Sequence, residues 1–329
     1  MRIAILGAGA WGTALAINLN AHHQVTLWTP VTEHLDEMRS QRINHRFLPG
    51  FPLPDPLELT SSIADAIDTA DLAVIVVPVS GLRETLRRIV ATGRAIPVIW
   101  GCKGFEGQSA KLPHQVASDE YAGVAPCGVL SGPSFAQEVA QRMPTALTLA
   151  SHDEEFSRSI ASQLHHPRLR IYSSTDVVGV EVGGAVKNVV TIAAGISDGM
   201  GLGHNARAAL ITRGLHEITR LGLKLGGHME TFSGLAGVGD LILTTTGDLS
   251  RNRRVGLMLA EGQPLSDILE NLGHIAEGVY TAREVLQLSL ELDVDMPITR
   301  AVCSILYEGV SPKAALESLL NREPKTENG

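Results

Sequence analysis

The sequence predicts an α/β fold: a Rossmann-like, doubly wound sheet at the N-terminus followed by an all-α C-terminal domain. Three observations predict it. A short apolar strand, Arg2–Leu6, runs straight into the turn Gly7-Ala8-Gly9-Ala10-Trp11-Gly12 and then into helical spacing through Leu19. Strand-like and helical runs then alternate as far as Tyr172, the pattern of a sheet built from βαβ units. After Ser173–Thr175 only helical periodicity remains. The expected boundary lies near residue 173, giving a dinucleotide-binding unit of residues 1–173 and a helical substrate-binding unit of residues 174–329.

Each element has a local reason. A bare GxGxxG is a weak signal, but a strand before it and a helix after it are the context that gives it meaning. Gly7 allows the tight turn, Gly9 lets backbone meet a pyrophosphate, and Gly12 lets helix and strand pack closely; the helix start then offers unpaired N–H groups to phosphate. The second strand, Gln24–Trp28, ends in Thr29-Pro30. A carboxylate there would hold the ribose 2′-OH of NAD, and an arginine would suit NADP. With neither present, NADPH and NADH both remain open, with a lean to NADPH or dual use. Glu33 falls on the next helix, and Arg42 and Arg46 are either solvated loop residues or partners for a 2′-phosphate.

Leu57–Thr60 reads as a short strand and Ile63–Thr69 as a helix. The run Leu72–Val77 is apolar throughout, as in a parallel strand buried on both faces. A helix over Gly81–Val90 and a strand over Ile96–Trp100 lead to Gly101-Cys102-Lys103-Gly104. Ligands of open α/β sheets gather beyond the strands' carboxyl ends, so Lys103 and the glycine turn belong on one rim. Cys102 beside it is either a small apolar residue or a redox-sensitive thiol. Val129–Leu130 leads into Ser131-Gly132-Pro133-Ser134-Phe135-Ala136-Gln137, where Ser134 and Gln137 fit a capping box at a helix start. Strands at Thr145–Ala150 and Leu169–Tyr172 flank a helix over Glu154–Leu164.

The second unit begins with Asp176–Ser197, apolar almost all round and therefore a buried helix. Lys187 sits in its middle, with no helical neighbour able to pair with an ammonium. It must find a distant partner or do chemistry. Gly183 and Gly184, each costing about 1 kcal/mol against alanine in a helix, indicate a close approach on that face, by substrate or cofactor. Further on, Asp240 stands inside an apolar run, either as an N-cap for Leu241–Leu243 or as a partner for a lysine. Ser250-Arg251-Asn252-Arg253-Arg254 is the densest positive cluster, either a solvated face or a phosphate clamp. Amphipathic helices over Ala206–Leu221, Thr281–Leu292, Ala301–Leu306 and Ala314–Leu320 complete the chain.

Bulk properties narrow the function. The 329 residues suffice for two cores, and a net charge of −8 argues against nonspecific nucleic-acid binding. The longest apolar run, Leu72–Val79, is too short to span a bilayer, and a strand beginning at Arg2 leaves no room for a signal peptide. Cys102, Cys127 and Cys303 form neither a zinc pattern nor a disulfide framework, so a reducing cytoplasm is the expected compartment and no metal is expected.

The stretches GAGAWGTALA, FLPG at Phe47–Gly50, CKGFE, SGPSFAQEVA, GGAVKNVVTIAAGISDGMGLG, NARAALITRG, FSGLAGVGDLILTTTGDLSRNRRVG and AEGVYTA occur in order between Gly7 and Ala282. Together the chain resembles the bacterial-type NAD(P)-dependent glycerol-3-phosphate dehydrogenases. The resemblance implies reversible reduction of dihydroxyacetone phosphate to sn-glycerol 3-phosphate by NADPH or NADH, feeding phospholipid synthesis. It implies Lys187 as catalytic acid/base, assisted by Lys103 and Asp240. It places Lys103, Gly132, Ser134, Lys187, Asn188, Asp240, Ser250, Arg251 and Asn252 against substrate. It places Gly7, Gly9, Ala10, Trp11, Gly12, Pro30, Lys103, Ala136, Arg251, Ile275 and Glu277 against cofactor. Members are commonly dimeric, so a homodimer is the implied assembly. Ala10, Thr29-Pro30, Gly101-Cys102 and His204 depart from the usual pattern. Two rivals stand beside this reading: a reductase of unphosphorylated hydroxyacids and a non-catalytic nucleotide sensor. The arginine cluster argues against the first, and Lys103, Lys187 and Asp240 together argue against the second.

Overall fold

The computed structural model describes residues 1–272 and 276–322. Its first part alternates as the sequence pattern requires: β1 (Arg2–Leu6), α1 (Ala10–Leu19), β2 (Gln24–Trp28), α2 (Thr32–Gln41), β3 (Glu58–Thr60), α3 (Ile63–Ile67), β4 (Leu72–Ile75) and α4 (Val79–Ala91). There follow β5 (Val98–Trp100), α5 (Pro113–Tyr121), β6 (Cys127–Ser131), α6 (Ala136–Ala140), β7 (Thr145–Ala150), α7 (Glu154–Leu164) and β8 (Leu169–Ser174). The eight strands form one sheet in the order β3-β2-β1-β4-β5-β6-β7-β8. All neighbours are parallel except β6 and β7, which pair antiparallel with Leu130 opposite Leu149.

Side chains of a strand alternate between faces, and both faces of this sheet are covered. Ile3, Ile5, Leu72 and Val74 enter one hydrophobic core, whereas Ala4, Leu6, Ala73 and Ile75 enter the other. This explains why the inner strands read as unbroken apolar runs. Helix α5 carries no strong periodic signal; Pro113 at its start and Val116, Ala117 and Tyr121 on the sheet side define it.

The remaining helices are α8 (Val177–Gly199), α9 (Gly203–Lys224), α10 (Met229–Phe232), α11 (Asp240–Thr246), α12 (Arg251–Ala260), α13 (Leu265–Leu272), α14 (Glu277–Glu291), α15 (Pro297–Tyr307) and α16 (Pro312–Leu320). A π-helical turn, Leu235–Gly239, directly precedes α11. Helix α8 is the hub, packing against α9, α11, α12, α14, α15 and β6. It is long and apolar enough to cross a membrane, but it is buried on all sides within the protein. Asp176 starts it, accepting from Gly179 N at 2.8 Å and from His228 N at 2.9 Å. Val177 and Val180, in its first turn, join the core on one face of the sheet, so the helix is rooted in the sheet before it runs into the helical cluster.

Buried carboxylates replace missing helix caps elsewhere. Glu217 of α9 accepts from Ile298 N and Thr299 N at the start of α15, at 2.6 and 3.1 Å. Burial pushes its carboxyl up to about 7, opposed by those hydrogen bonds.

Candidate active site

The carboxyl ends of β1, β5 and β6 open onto a cavity of about 300 Å³, closed from the other side by α8, α11, α12 and the start of α14. On the sheet side lies the glycine turn. Gly7 has φ +130°, and a Cβ on Gly12 would stand 1.9 Å from the Gly7 carbonyl oxygen, so backbone packs on backbone there. A Cβ on Gly9 would meet nothing within 4 Å, leaving that approach open. Helix α1 starts at Gly9 with no side-chain cap, so its first N–H groups are available to an anion. Ala10 and Trp11 line the cavity, and Trp11 Nε1 is buried without a hydrogen-bond partner. These features fit a dinucleotide pyrophosphate. Replacing Gly9 by valine is expected to leave the melting temperature near wild type while abolishing NAD(P)H binding in a fluorescence titration; retained affinity would move the pyrophosphate elsewhere.

Asn44, which the sequence pattern did not single out, holds this turn. Its amide donates to the Ala8 carbonyl at 2.9 Å and to Thr13 Oγ1 at 2.7 Å, and it accepts from His34 Nε2 at 2.9 Å. Beyond β2, Pro30 is exposed and does not line the cavity. The Arg42 option for a 2′-phosphate is corrected: its guanidinium is spent on the carbonyls of Pro54, Asp55 and Leu57. Arg46 lies over the Phe47 ring at 5.2 Å.

The centre of the cavity is a carboxylate shared by two ammonium groups. Lys187 Nζ donates to Asp240 Oδ1 at 2.5 Å, and Lys103 Nζ donates to Asp240 Oδ2 at 2.6 Å. Lys103 also donates to the Gly132 carbonyl at 3.2 Å. Lys187 is 3% exposed and Asp240 1%. Burial pulls the Lys187 ammonium down to about 8; Asp240 opposes that shift and the like charge of Lys103 reinforces it. Of the two readings of Asp240, the lysine partner is the one the structure realises. The residue opens α11 as its first helical position, and its carboxylate turns to the lysines.

Gly183 and Gly184 face protein instead of a ligand. A Cβ on Gly183 would lie 2.6 Å from the Ala236 carbonyl oxygen, and one on Gly184 would lie 2.8 Å from Ser131 Oγ and 3.5 Å from Lys103 Cγ. Gly183 thus admits the turn that delivers Asp240, and Gly184 admits the end of β6 at Ser131 and the side chain of Lys103. Ser134 is also corrected: its hydroxyl donates to the Gly132 carbonyl at 3.1 Å, and α6 starts after Phe135 with no side-chain cap. No capping box with Gln137 forms. Ser134, Ala136 and Gln137 all line the cavity.

The arginine cluster divides. Ser250 caps α12, accepting from Arg253 N at 3.3 Å, and Arg253 pairs with Asp198 at 2.8 Å and Asp248 at 2.9 Å. Arg251 and Asn252 line the cavity. Asn252 donates to Asn188 Oδ1 at 3.0 Å and accepts from Gly278 N at 3.1 Å, joining α8, α12 and α14 at one point. Glu277, also at the cavity wall, has its carboxyl pushed up to about 7 by burial, against the pull of Arg251, Lys103 and Lys187. Ile275 lies outside the described residues. Among the described residues no group of three or more His, Cys, Asp or Glu side chains converges as a metal site would require. Cys102 is buried, with its thiol pushed well up by desolvation and by the nearby Glu277 and Glu181, the opposite of a reactive thiolate.

A dinucleotide turn facing a buried lysine and an arginine-bearing helix defines the class: an NAD(P)-dependent oxidoreductase. Two family models cover most of the chain, the NAD-dependent glycerol-3-phosphate dehydrogenase N-terminus over residues 2–157 and its C-terminus over residues 176–317. The chain belongs to that family. It is 71% identical to the glycerol-3-phosphate dehydrogenase [NAD(P)+] of Nitrosospira multiformis, over 99% of both chains, and 61% identical to that of Nitrosomonas eutropha, again over 99% of both. The crystal structure of glycerol-3-phosphate dehydrogenase from Coxiella burnetii matches with a TM-score of 0.93 at 43% identity, covering 98% of this chain and 99% of that one.

Proposed function

We propose that this cavity catalyses the reversible reduction of dihydroxyacetone phosphate to sn-glycerol 3-phosphate, with Lys187 as the general acid and base. The observation that carries the assignment is the Lys187–Asp240–Lys103 cluster, with Lys187 and Asp240 buried and Lys103 partly exposed, where the sheet rim meets the helical part. The nicotinamide cofactor supplies the hydride when bound; the chain's own work is to deliver the proton and hold the ketone. Lys187, with its ammonium tuned to about 8, gives its proton to the developing alkoxide and recovers it in the reverse direction. Lys103 adds a second positive charge at the same oxygen, a preorganised electrostatic contribution. Asp240 aims both ammonium groups. Arg251, with Asn252, Asn188 and Ser134, holds the phosphate, converting remote binding energy into position.

Residues 1–173 are assigned to the dinucleotide and residues 174–329 to the substrate. The dehydrogenase names of the relatives support NAD(P) as cofactor, and the lack of a carboxylate at the end of β2 supports use of NADPH as well as NADH. The product supplies phospholipid synthesis in the cytoplasm, and the working assembly is a homodimer.

One assay tests this directly: NADH and NADPH absorbance is followed with dihydroxyacetone phosphate and with unphosphorylated dihydroxyacetone. Turnover is expected only with the phosphorylated ketone. Arg251→Ala is expected to raise its KM by about 10- to 100-fold, the worth of a charge-assisted hydrogen bond, with a smaller effect on kcat. An unchanged KM would move the phosphate site off α12.

A further inference from the structure

The loop that carries Lys103 leaves the sheet at Trp100 and re-enters regular structure at Pro113-His114. One buried side chain bridges both stems. Glu181 of α8, 3% exposed, accepts from Trp100 Nε1 at 2.8 Å on the incoming stem. On the outgoing stem it accepts from His114 N at 2.9 Å and from His114 Nδ1 at 2.6 Å. The same helix bears Lys187 six residues later. We infer that Glu181 is a positioning residue for the reaction: it locks the Lys103 loop to the Lys187 helix and thereby sets how the two ammonium groups meet on Asp240. This rests on the catalytic reading of Lys187 and Lys103 given above.

Other contacts of the loop show what this clasp adds. On its outer side the loop is held by Arg83 of α4, whose guanidinium donates twice to Glu106 at 2.8 Å. That pair is partly exposed, and it fixes the loop to α4 and not to α8. On the inner side Lys103 itself reaches Gly132 and Asp240, which are contacts of the reacting groups. Away from the cavity, which Glu181 does not line, Phe105 and Leu112 of the loop share an apolar core with Val182, Ala185 and Val186 of α8, and Glu181 adds the directional hydrogen bonds that fix the two stems on that helix. A buried carboxylate is costly unless its acceptor sites are filled, and three donors fill this one. Burial nevertheless raises its carboxyl above the usual range.

The test compares Glu181→Ala with Glu181→Gln. Alanine opens the clasp. Glutamine keeps an oxygen for Trp100 Nε1 and His114 N, and its amide can donate to His114 Nδ1 once the imidazole takes its other tautomer. Glu181→Ala is expected to lower kcat by about 10- to 100-fold, the scale of a slight misplacement of reacting groups, with a smaller change in the NADPH dissociation constant and the glutamine variant restoring most of kcat. A second readout is the alkaline limb of kcat for reduction. The charges facing Lys187 are Asp240, Lys103 and Glu277; drift of Lys103 removes the like charge, so the limb is expected to move to higher pH in Glu181→Ala. Should that variant not fold, Trp100→Phe, which releases only the incoming stem, is expected to show the same signs at smaller size.

A wild-type kcat and limb in a folded Glu181→Ala or Trp100→Phe enzyme would overturn the inference. So would a kcat loss that glutamine does not restore. Lys187→Ala is measured alongside: if it keeps turnover, the catalytic reading fails, whereas its collapse with an indifferent Glu181 sinks only the positioning role.

Discussion

Lys187→Ala is expected to lower kcat for ketone reduction by about 100- to 10,000-fold, the range of a positioned general acid, while NADPH still binds with nearly wild-type affinity. The separation follows from geometry. The glycine turn that offers its N–H groups to a pyrophosphate belongs to β1 and α1, whereas Lys187 reaches the cavity from α8 on the opposite wall. The wild-type pH profile is part of the same expectation. Reduction needs the ammonium, so its rate falls as pH rises through about 8, where burial has brought Lys187. Oxidation needs the free amine and gains rate over the same interval. Stopped-flow absorbance in both directions measures this. A reduction limb that survives Lys187→Ala at the same pH would assign the proton to another group, with Glu277, titrating near 7, the first to examine.

The fold was legible because its signals are local. Glycines at fixed offsets, apolar runs with period two or none, and helical periodicity each report on a few neighbouring residues. The order of strand, turn and helix around Gly7–Gly12 therefore survived translation into structure. So did Lys187 as an anomaly, since a cation in an apolar helix conflicts with its surroundings and such conflicts mark functional positions.

What was not legible depends on distant partners. Asn44 and Glu181 are ordinary residues locally, and their roles arise from hydrogen bonds across 36 and 81 positions. Gly183 and Gly184 announced a close approach, but not that the approaching groups were Ala236 and Ser131. Arg251 and Arg253 look alike in sequence. They part because successive odd positions on a helix point about 200° apart, one toward the cavity and one toward Asp198.

Asp240→Asn exposes the electrostatic balance most directly. With the carboxylate present, two ammonium groups share one negative charge at 2.5 and 2.6 Å. With an amide in its place they face one another in a buried site. Burial and Lys103 already pull Lys187 down and Asp240 opposes them, so removing Asp240 lowers the Lys187 value below about 8. The alkaline limb of reduction is then expected to move to lower pH, opposite to the shift expected for Glu181→Ala, and kcat near pH 7.5 to fall by about 100-fold or more as the acid loses its proton and its aim. Stability carries the matching sign. A lysine whose folded value lies below its unfolded one holds fewer protons when native, so its contribution rises with pH between the two values. In Asp240→Asn the lower end of that window drops, and the protein is expected to lose about 3 kcal/mol or more, as when a buried pair is broken, with the deficit greatest at acid pH and shrinking as pH rises. Denaturant melts from pH 6 to 9 read this out. A deficit that grows toward alkaline pH, or a reduction limb that stays where it is, would mean that Asp240 does not govern the protonation of Lys187.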